Sequence, residues 1–213
     1  MLTYISYERM ENALCCFLKQ TYPKKELIIV ANGSETYTEQ IREIVSSHNA
    51  DDCVKIYEIR NNFGTIADMR NLAVWFCNGE FICIWDDDDI YGDRRIEMQV
   101  ESLNKNRDKF YSIFGNCTYH LDGYSEKVLT NICPKGSILF RNKQKNDEVF
   151  MGEDDEYQRF QKKDGIVLKN NPKDYIFVKH KLNVRSDSYF HELVRNNESI
   201  VEKFKKKNSY EEN

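Results

Sequence analysis

A chain of 213 residues with 40% hydrophobic content is long enough for one sizeable core, most simply one domain with an attached subdomain. The formal net charge of -4 and a pI near 5.7 give no electrostatic footprint for nucleic acid, and the basic run of Lys203 and Lys205 to Lys207 reads as a solvated helix end or tail. Seven cysteines, an odd number without a C-x-x-C pair, read as reduced core residues of an intracellular protein; with no signal peptide and no long apolar span, a cytoplasmic location is expected.

Residues Glu8 to Gln20 place Met10, Ala13, Leu14, Phe17 and Leu18 on one helical face, and Pro23 follows in the connecting turn. Glu26 to Ala31 is a nearly continuous apolar strand that ends in the turn Asn32-Gly33-Ser34. Thr36 to Glu39 fits a capping box, and Ile41, Ile44 and Val45 continue a helical stripe behind it. Val54 to Ile59 predicts another strand, and Ile66 to Cys77 a helix with Ile66, Met69, Ala73 and Phe76 on its apolar side. After Asn78-Gly79, the run Phe81 to Trp85 suits a fully buried strand, and Arg94 to Asn104 offers Ile96, Val100 and Leu103 as one more helical face. This alternation argues for an α/β fold, a mostly parallel central sheet flanked by helices. From Lys109 to Asn142 the pattern changes to short strands at Tyr111 to Phe114, Cys117 to Leu121 and Ser137 to Phe140, with a turn at Asp122-Gly123, which predicts a small antiparallel extension. A polar helix from Gly152 to Lys162 and a last strand from Tyr175 to Lys179 follow. The organisation expected is a single domain over 1–195, divided into 1–104 and 105–195, with a charged tail over 196–213.

The strand at Phe81 runs directly into Asp86-Asp87-Asp88-Asp89. Adjacent carboxylates repel, so some of them should be pushed toward the protonated form unless a cation neutralises them. Oxygen-only ligands suit a hard ion such as Mg²⁺ or Mn²⁺, and a site with one or two carboxylates leaves positions for substrate phosphates. The plain alternative is a solvated acidic surface in which Asp89 or Asp93 favours the start of the next helix. In a parallel α/β sheet, ligands bind at the carboxyl ends of the strands, which puts Asn32-Gly33-Ser34 and the aspartates at one edge. A second acidic cluster, Glu153 to Glu156, reads either as a helix start or as the source of a general base. Arg70 can pair with a phosphate or with the aspartates, or stand as a solvated helix residue. His180, at the close of the last strand, reads as a phosphate contact, a metal ligand or a structural histidine.

Gln20-Thr21-Tyr22-Pro23, the strand Glu26 to Val30 followed by Asn32-Gly33-Ser34, Gly64 with Arg70-Asn71, Gly79-Glu80, Asp86 to Asp89, and Gly152-Glu153-Asp154 resemble, in order and spacing, the family 2 glycosyltransferases over roughly residues 3 to 183. The resemblance implies a nucleotide-sugar-binding fold of the GT-A type and inverting sugar transfer from a nucleotide-diphosphate sugar, UDP being the expected carrier, to a glycan or other hydroxyl acceptor. It implies Mn²⁺ or Mg²⁺ held by Asp86 and Asp88 on the donor diphosphate, and Asp154 as the catalytic base. Thr3, Asn32, Arg70, Asp86, Asp87 and His180 are the donor-binding residues it points to. Two features depart from the family pattern: Ala31-Asn32 stand where acidic residues are usual, and only Leu2-Thr3-Tyr4 remain of the first strand. The rival reading is a catalytically silent GT-A-like protein that binds a nucleotide sugar or glycan. A phosphotransferase is disfavoured because no Gly-rich phosphate loop with lysine is present.

Overall fold

The computed structural model describes residues 1–4, 6–59, 64–121, 127–130, 135–142 and 164–179. Its frame is strand β2 (Leu27–Asn32), whose first five residues are all buried, as a continuous apolar run requires. It lies between the two-residue β1 (Leu2–Thr3) and β3 (Val54–Ile59), and all three run parallel, with Thr3 opposite Ala31 and Asn32 opposite Ile59. Helix α1 (Tyr7–Leu18) buries Met10, Ala13, Leu14 and Phe17, the face expected from their spacing. Helix α2 (Glu35–Ser47) begins earlier than the expected box at Thr36: Ser34 is its N-cap, and the Ser34 hydroxyl accepts from Tyr37 N.

Helix α3 (Ile66–Trp75) has a capping box that sequence reading missed, with Thr65 and Asp68 bonding each other's backbone N–H groups. Its expected apolar face is only half-buried, since Val74 is the one fully buried residue and Trp75 is exposed. The predicted strand Phe81 to Trp85 is shorter than its apolar run: β4 covers Phe81–Cys83, and Trp85 leaves the ladder to pack on α1, where its indole N–H donates to Ala13 O at 3.0 Å. A two-residue β5 (Ile90–Tyr91) follows the aspartates and leads into α4 (Arg95–Lys105), which buries Ile96, Val100 and Leu103 as predicted, together with Arg95 and Gln99.

The rest of the chain builds two mixed sheets. In one, β10 (Gly165–Leu168) pairs parallel with β6 (Tyr111–Phe114), and β9 (Leu139–Arg141) lies antiparallel between β6 and β4. In the other, β11 (Tyr175–Lys179) lies between β5, antiparallel, and β7 (Cys117–Leu121), parallel, while β8 (Lys127–Thr130) pairs antiparallel with β7. The expected antiparallel extension is therefore partly parallel, because β10 and β11 return to pair with β6 and β7. The six described cysteines Cys15, Cys16, Cys53, Cys77, Cys83 and Cys117 are free thiols, and only Cys117 is fully buried. No helix among the described residues is long and apolar enough to cross a membrane. The predicted turn at Asp122-Gly123, the helix from Gly152 and the charged tail lie outside the described residues.

Two buried polar side chains lock α4 in place. Gln20, just past α1, donates to Gly92 O at 2.8 Å and accepts from Ile96 N at 3.0 Å, satisfying an orphan donor in the first turn of α4. Gln99 donates to Ser112 O at 3.0 Å and Ser137 O at 2.7 Å, tying α4 to β6 and to the 3₁₀ turn Lys135–Ser137. Together these bonds fix α4, which follows the aspartate turn, against α1, β6 and the 3₁₀ turn.

Candidate active site

The carboxyl ends of β1 and β2 and the turn after β4 converge, as expected for this sheet order. Thr3 is buried at the end of β1. Its hydroxyl shares a 2.7 Å hydrogen bond with Tyr37 OH in the first turn of α2, and the same side chain acts on Asp87, whose carboxyl it favours in the charged form. Thr3 is thus the joint between the loop after β2 and the aspartate turn. Asn32 ends β2 one residue beyond Ala31, the register partner of Thr3. Gly33 follows against the Tyr37 ring, where a Cβ would come within 2.6 Å of Cδ1.

Each aspartate has a different environment. Asp86 faces Arg70 of α3, with Nη2 to Oδ1 at 3.7 Å, so of the readings open for Arg70 the pairing with the aspartates is the one found. Tyr91 clamps the Asp86 backbone: its hydroxyl accepts from Asp86 N at 2.7 Å and donates to Asp86 O at 3.2 Å. Burial, opposed by the Thr3 side chain, pushes the Asp87 carboxyl up to about 6. Burial and the neighbouring Asp86 charge push Asp88 up to about 7, against the pull of Arg9 and Arg70. The expected drift toward protonation is present, but desolvation outweighs mutual repulsion as its cause.

Asp89 corrects the sequence reading most sharply. Instead of serving the next helix it is buried, accepts from Tyr175 OH at 2.5 Å and Val178 N at 3.0 Å, and so anchors the turn to β11. Burial, reinforced by the Asp88 and Asp86 charges, holds its carboxyl well above the ordinary range. Beneath the turn sits Arg95, fully buried. Its Nη2 donates to Ile84 O and Gly136 O, both at 2.8 Å, and its guanidinium lies over the rings of Tyr91, Trp85 and Tyr175 at 4.4, 5.1 and 5.6 Å. Tyr37, Tyr91, Gly136, Arg95 and Tyr175 are the site residues that sequence reasoning missed. Arg95 and Gln99, polar at i and i+4 beside the Ile96, Val100, Leu103 stripe, were the available signal.

The arrangement fits a divalent cation held jointly with a ligand. Asp86 and Asp88 present oxygen donors whose proximity raises the cost of ionising the second, a cost that a cation removes. Among the described residues no group of three His, Cys, Asp or Glu forms a ready-made metal cage. Asp154 and His180 lie outside the described residues.

A parallel sheet flanked by helices, with an acidic turn at its carboxyl edge, defines an α/β protein of the GT-A type. In fold it is similar to the S. aureus TarS 1-349 structure in complex with UDP-GlcNAc, with a TM-score of 0.63, 18% identity, and 91% of this chain and 63% of that chain covered. It is likewise similar to the mannosyltransferase PcManGT from Pyrobaculum calidifontis in complex with GDP-Man and Mn²⁺, with a TM-score of 0.61, 15% identity, and 89% and 57% of the two chains covered. The chain belongs to glycosyl transferase family 2, whose model matches residues 1–164. Among curated relatives, the Escherichia coli UDP-Glc:alpha-D-GlcNAc-diphosphoundecaprenol beta-1,3-glucosyltransferase WfgD is 29% identical over 118 residues, 54% of this chain and 43% of that protein. The chain spans less than half the length of the curated relatives it matches, down to 15% for an uncharacterised glycosyltransferase of Rickettsia bellii.

Gly136 provides a direct test of how tightly Asp86 is placed. A Cβ there would strike the Tyr175 hydroxyl and come within 2.6 Å of Asp86 Oδ2. Gly136→Ala is expected to displace the carboxylate and lower sugar transfer by roughly ten- to a hundredfold, since small misplacements at a reacting centre carry costs of that order. Steady-state kinetics at matched thermal stability checks it.

Proposed function

We propose that this chain is a metal-dependent, inverting glycosyltransferase domain that moves a sugar from a UDP-sugar to an acceptor hydroxyl. The observation that carries the reading is the Arg70–Asp86 pair at the carboxyl edge of a GT-A sheet, with Asp88 beside it. UDP as carrier is supported by the UDP-GlcNAc complex of the similar TarS structure and by the name of the WfgD relative. Thr3, Asn32 and Asp87 line the nucleoside side, with Asn32 hydrogen-bonding the base without contributing charge. Arg70 and Asp86 face the diphosphate, and His180, directly after β11, joins them by resemblance to the family's donor-side motif. Residues 1–104 form the donor half and 105–195 the acceptor half of one domain.

Asp86 and Asp88 would hold Mn²⁺ or Mg²⁺, which supplies Lewis-acid neutralisation of charge on the departing nucleoside diphosphate. Arg70 contributes a fixed cation to the same side, partly buried and therefore little screened. Asp154, in the segment that resembles the family's Glu-Asp motif, takes the acceptor proton as the acceptor oxygen attacks from the opposite face. One displacement inverts the anomeric centre. The test is release of UDP from UDP-sugars by the purified chain with mixed acceptors, with and without Mn²⁺. Asp154→Asn is expected to abolish release while Mn²⁺-dependent UDP binding, read by thermal shift, persists. Normal turnover in that variant would remove Asp154 as the base, and donor binding without UDP release in the parent would make the chain a binding protein.

A further inference from the structure

β4 ends at Cys83, and the next backbone bond on that side, Ile84 N to Ile138 O at 3.1 Å, falls two residues short of Asp86. Asp86 therefore stands off the ladder that carries it to the carboxyl edge. Arg70 lies 3.7 Å from its carboxylate, beyond hydrogen-bond reach, and attracts the charge without fixing its angle. Only two torsions separate that carboxylate from the main chain, so the direction of its oxygens follows the direction of the backbone. Tyr91 supplies what the strand no longer does. One hydroxyl accepts from Asp86 N at 2.7 Å and donates to Asp86 O at 3.2 Å, the two kinds of bond that a neighbouring strand would make.

The hydroxyl is itself fixed by tertiary structure. Tyr91 closes β5, which pairs antiparallel with β11, and it stands opposite Tyr175 in that ladder. Its ring is buried, with the Trp85 ring at 4.0 Å, the Tyr175 ring at 5.4 Å and the Arg95 guanidinium at 4.4 Å. A side chain packed so closely has little room to leave its rotamer. The other flank of Asp86 is equally tight, since a Cβ on Gly136 would come within 2.6 Å of Oδ2.

We propose that Tyr91 is a positioning residue of the sugar-transfer site, aiming the Asp86 carboxylate at the divalent cation by holding both the N–H and the C=O of that residue. Tyr91 touches no substrate and acts through Asp86. The assignment rests on the proposed role of Asp86 and Asp88 in holding Mn²⁺ or Mg²⁺, and it adds a residue behind them. Groups that orient a metal ligand from behind typically account for about ten- to a hundredfold in metal affinity or activity. Without the hydroxyl the Asp86 carboxylate samples a wider range of directions, and binding the cation carries the entropy cost of narrowing it.

Tyr91→Phe in the full chain keeps the ring and removes only the hydroxyl. Calorimetric titration of Mn²⁺ in the presence of UDP is expected to show half-saturation shifted upward by about tenfold or more, and saturating Mn²⁺ should return UDP affinity to the parent value. Val45→Ala, at a buried position in the last turn of α2, lowers stability away from the aspartate turn and should leave the Mn²⁺ midpoint where the parent has it. A Tyr91→Phe midpoint equal to that of the parent, or shifted no further than Val45→Ala shifts it, would overturn the assignment and leave the sugar-transfer reading standing. A parent that binds UDP without regard to Mn²⁺ would instead overturn the metal reading, and the role of Tyr91 with it.

Discussion

On the proposed reading, in which Asp88 holds the cation that neutralises the departing diphosphate, Asp88→Ala is expected to reduce sugar transfer by roughly 10²–10³-fold or more. Its effect on stability runs the other way. Asp87 and Asp88 titrate near 6 and 7 in the fold, against an ordinary value of 3.8, because they are buried. Without a cation the folded protein therefore holds protons that the unfolded chain has released. The sign follows: stability from these groups is full below about pH 4 and is lost as pH rises through 6 to 7. Melting temperature should fall between pH 5 and pH 8 without metal, and Mn²⁺ should restore it at pH 8 far more than at pH 5. Asp88→Asn, uncharged, should weaken the pH dependence, which Asp87 and Asp89 still carry, and melt higher than the parent at pH 8 without metal. A parent whose melting temperature is flat over this range would remove the assigned burial cost.

Arg95→Ala is expected to destabilise the fold by about 3–5 kcal/mol, combining the loss of two charge-assisted hydrogen bonds to backbone carbonyls and the cavity under three aromatic rings. For a chain of this length that corresponds to a fall of roughly 6–20 °C in melting temperature. The two carbonyls belong to Ile84, next to Trp85 at the head of the aspartate turn, and Gly136, which abuts Asp86. Arg95→Met keeps much of the packing but not the bonds, so it should melt between the parent and the alanine variant. Arg95→Lys keeps charge without the planar fork and should fail to restore the parent value. Urea denaturation of the three variants checks the order. An alanine variant within about 1 kcal/mol of the parent would show that the guanidinium contributes little net stability.

The sequence made the parallel half of the fold readable because its strands are short apolar runs and its helices carry one clear face each. Met10, Ala13, Leu14 and Phe17 are buried as their spacing requires. Thr3, Arg70, Asp86, Asp87 and Asp88 meet at one edge because sheet order alone brings them there. What escaped was polar and nonlocal. Asp89 looked like a helix-start carboxylate, since its partners Tyr175 and Val178 are far away in the chain and no local pattern announces them. β5 is too short to register as a period, and β10 and β11 pair parallel with strands more than fifty residues earlier. Buried Gln20, Arg95 and Gln99 break the rule that polar residues face water, and each does so to satisfy backbone groups far from it in the chain or in the fold.

The Asp89 anchor also sets the order in which the molecule can be completed. A ribosome delivers β1 to β3 and the aspartates long before Tyr175, so the parallel sheet can form while the acidic turn still lacks its tether. Closing a loop of this length is a late, entropically expensive step. A chain halted before Tyr175 would carry every donor-side carboxylate described here and still present them on a turn without its Asp89 anchor. The edge of the sheet is laid down early, and β11 determines when the acidic turn is anchored.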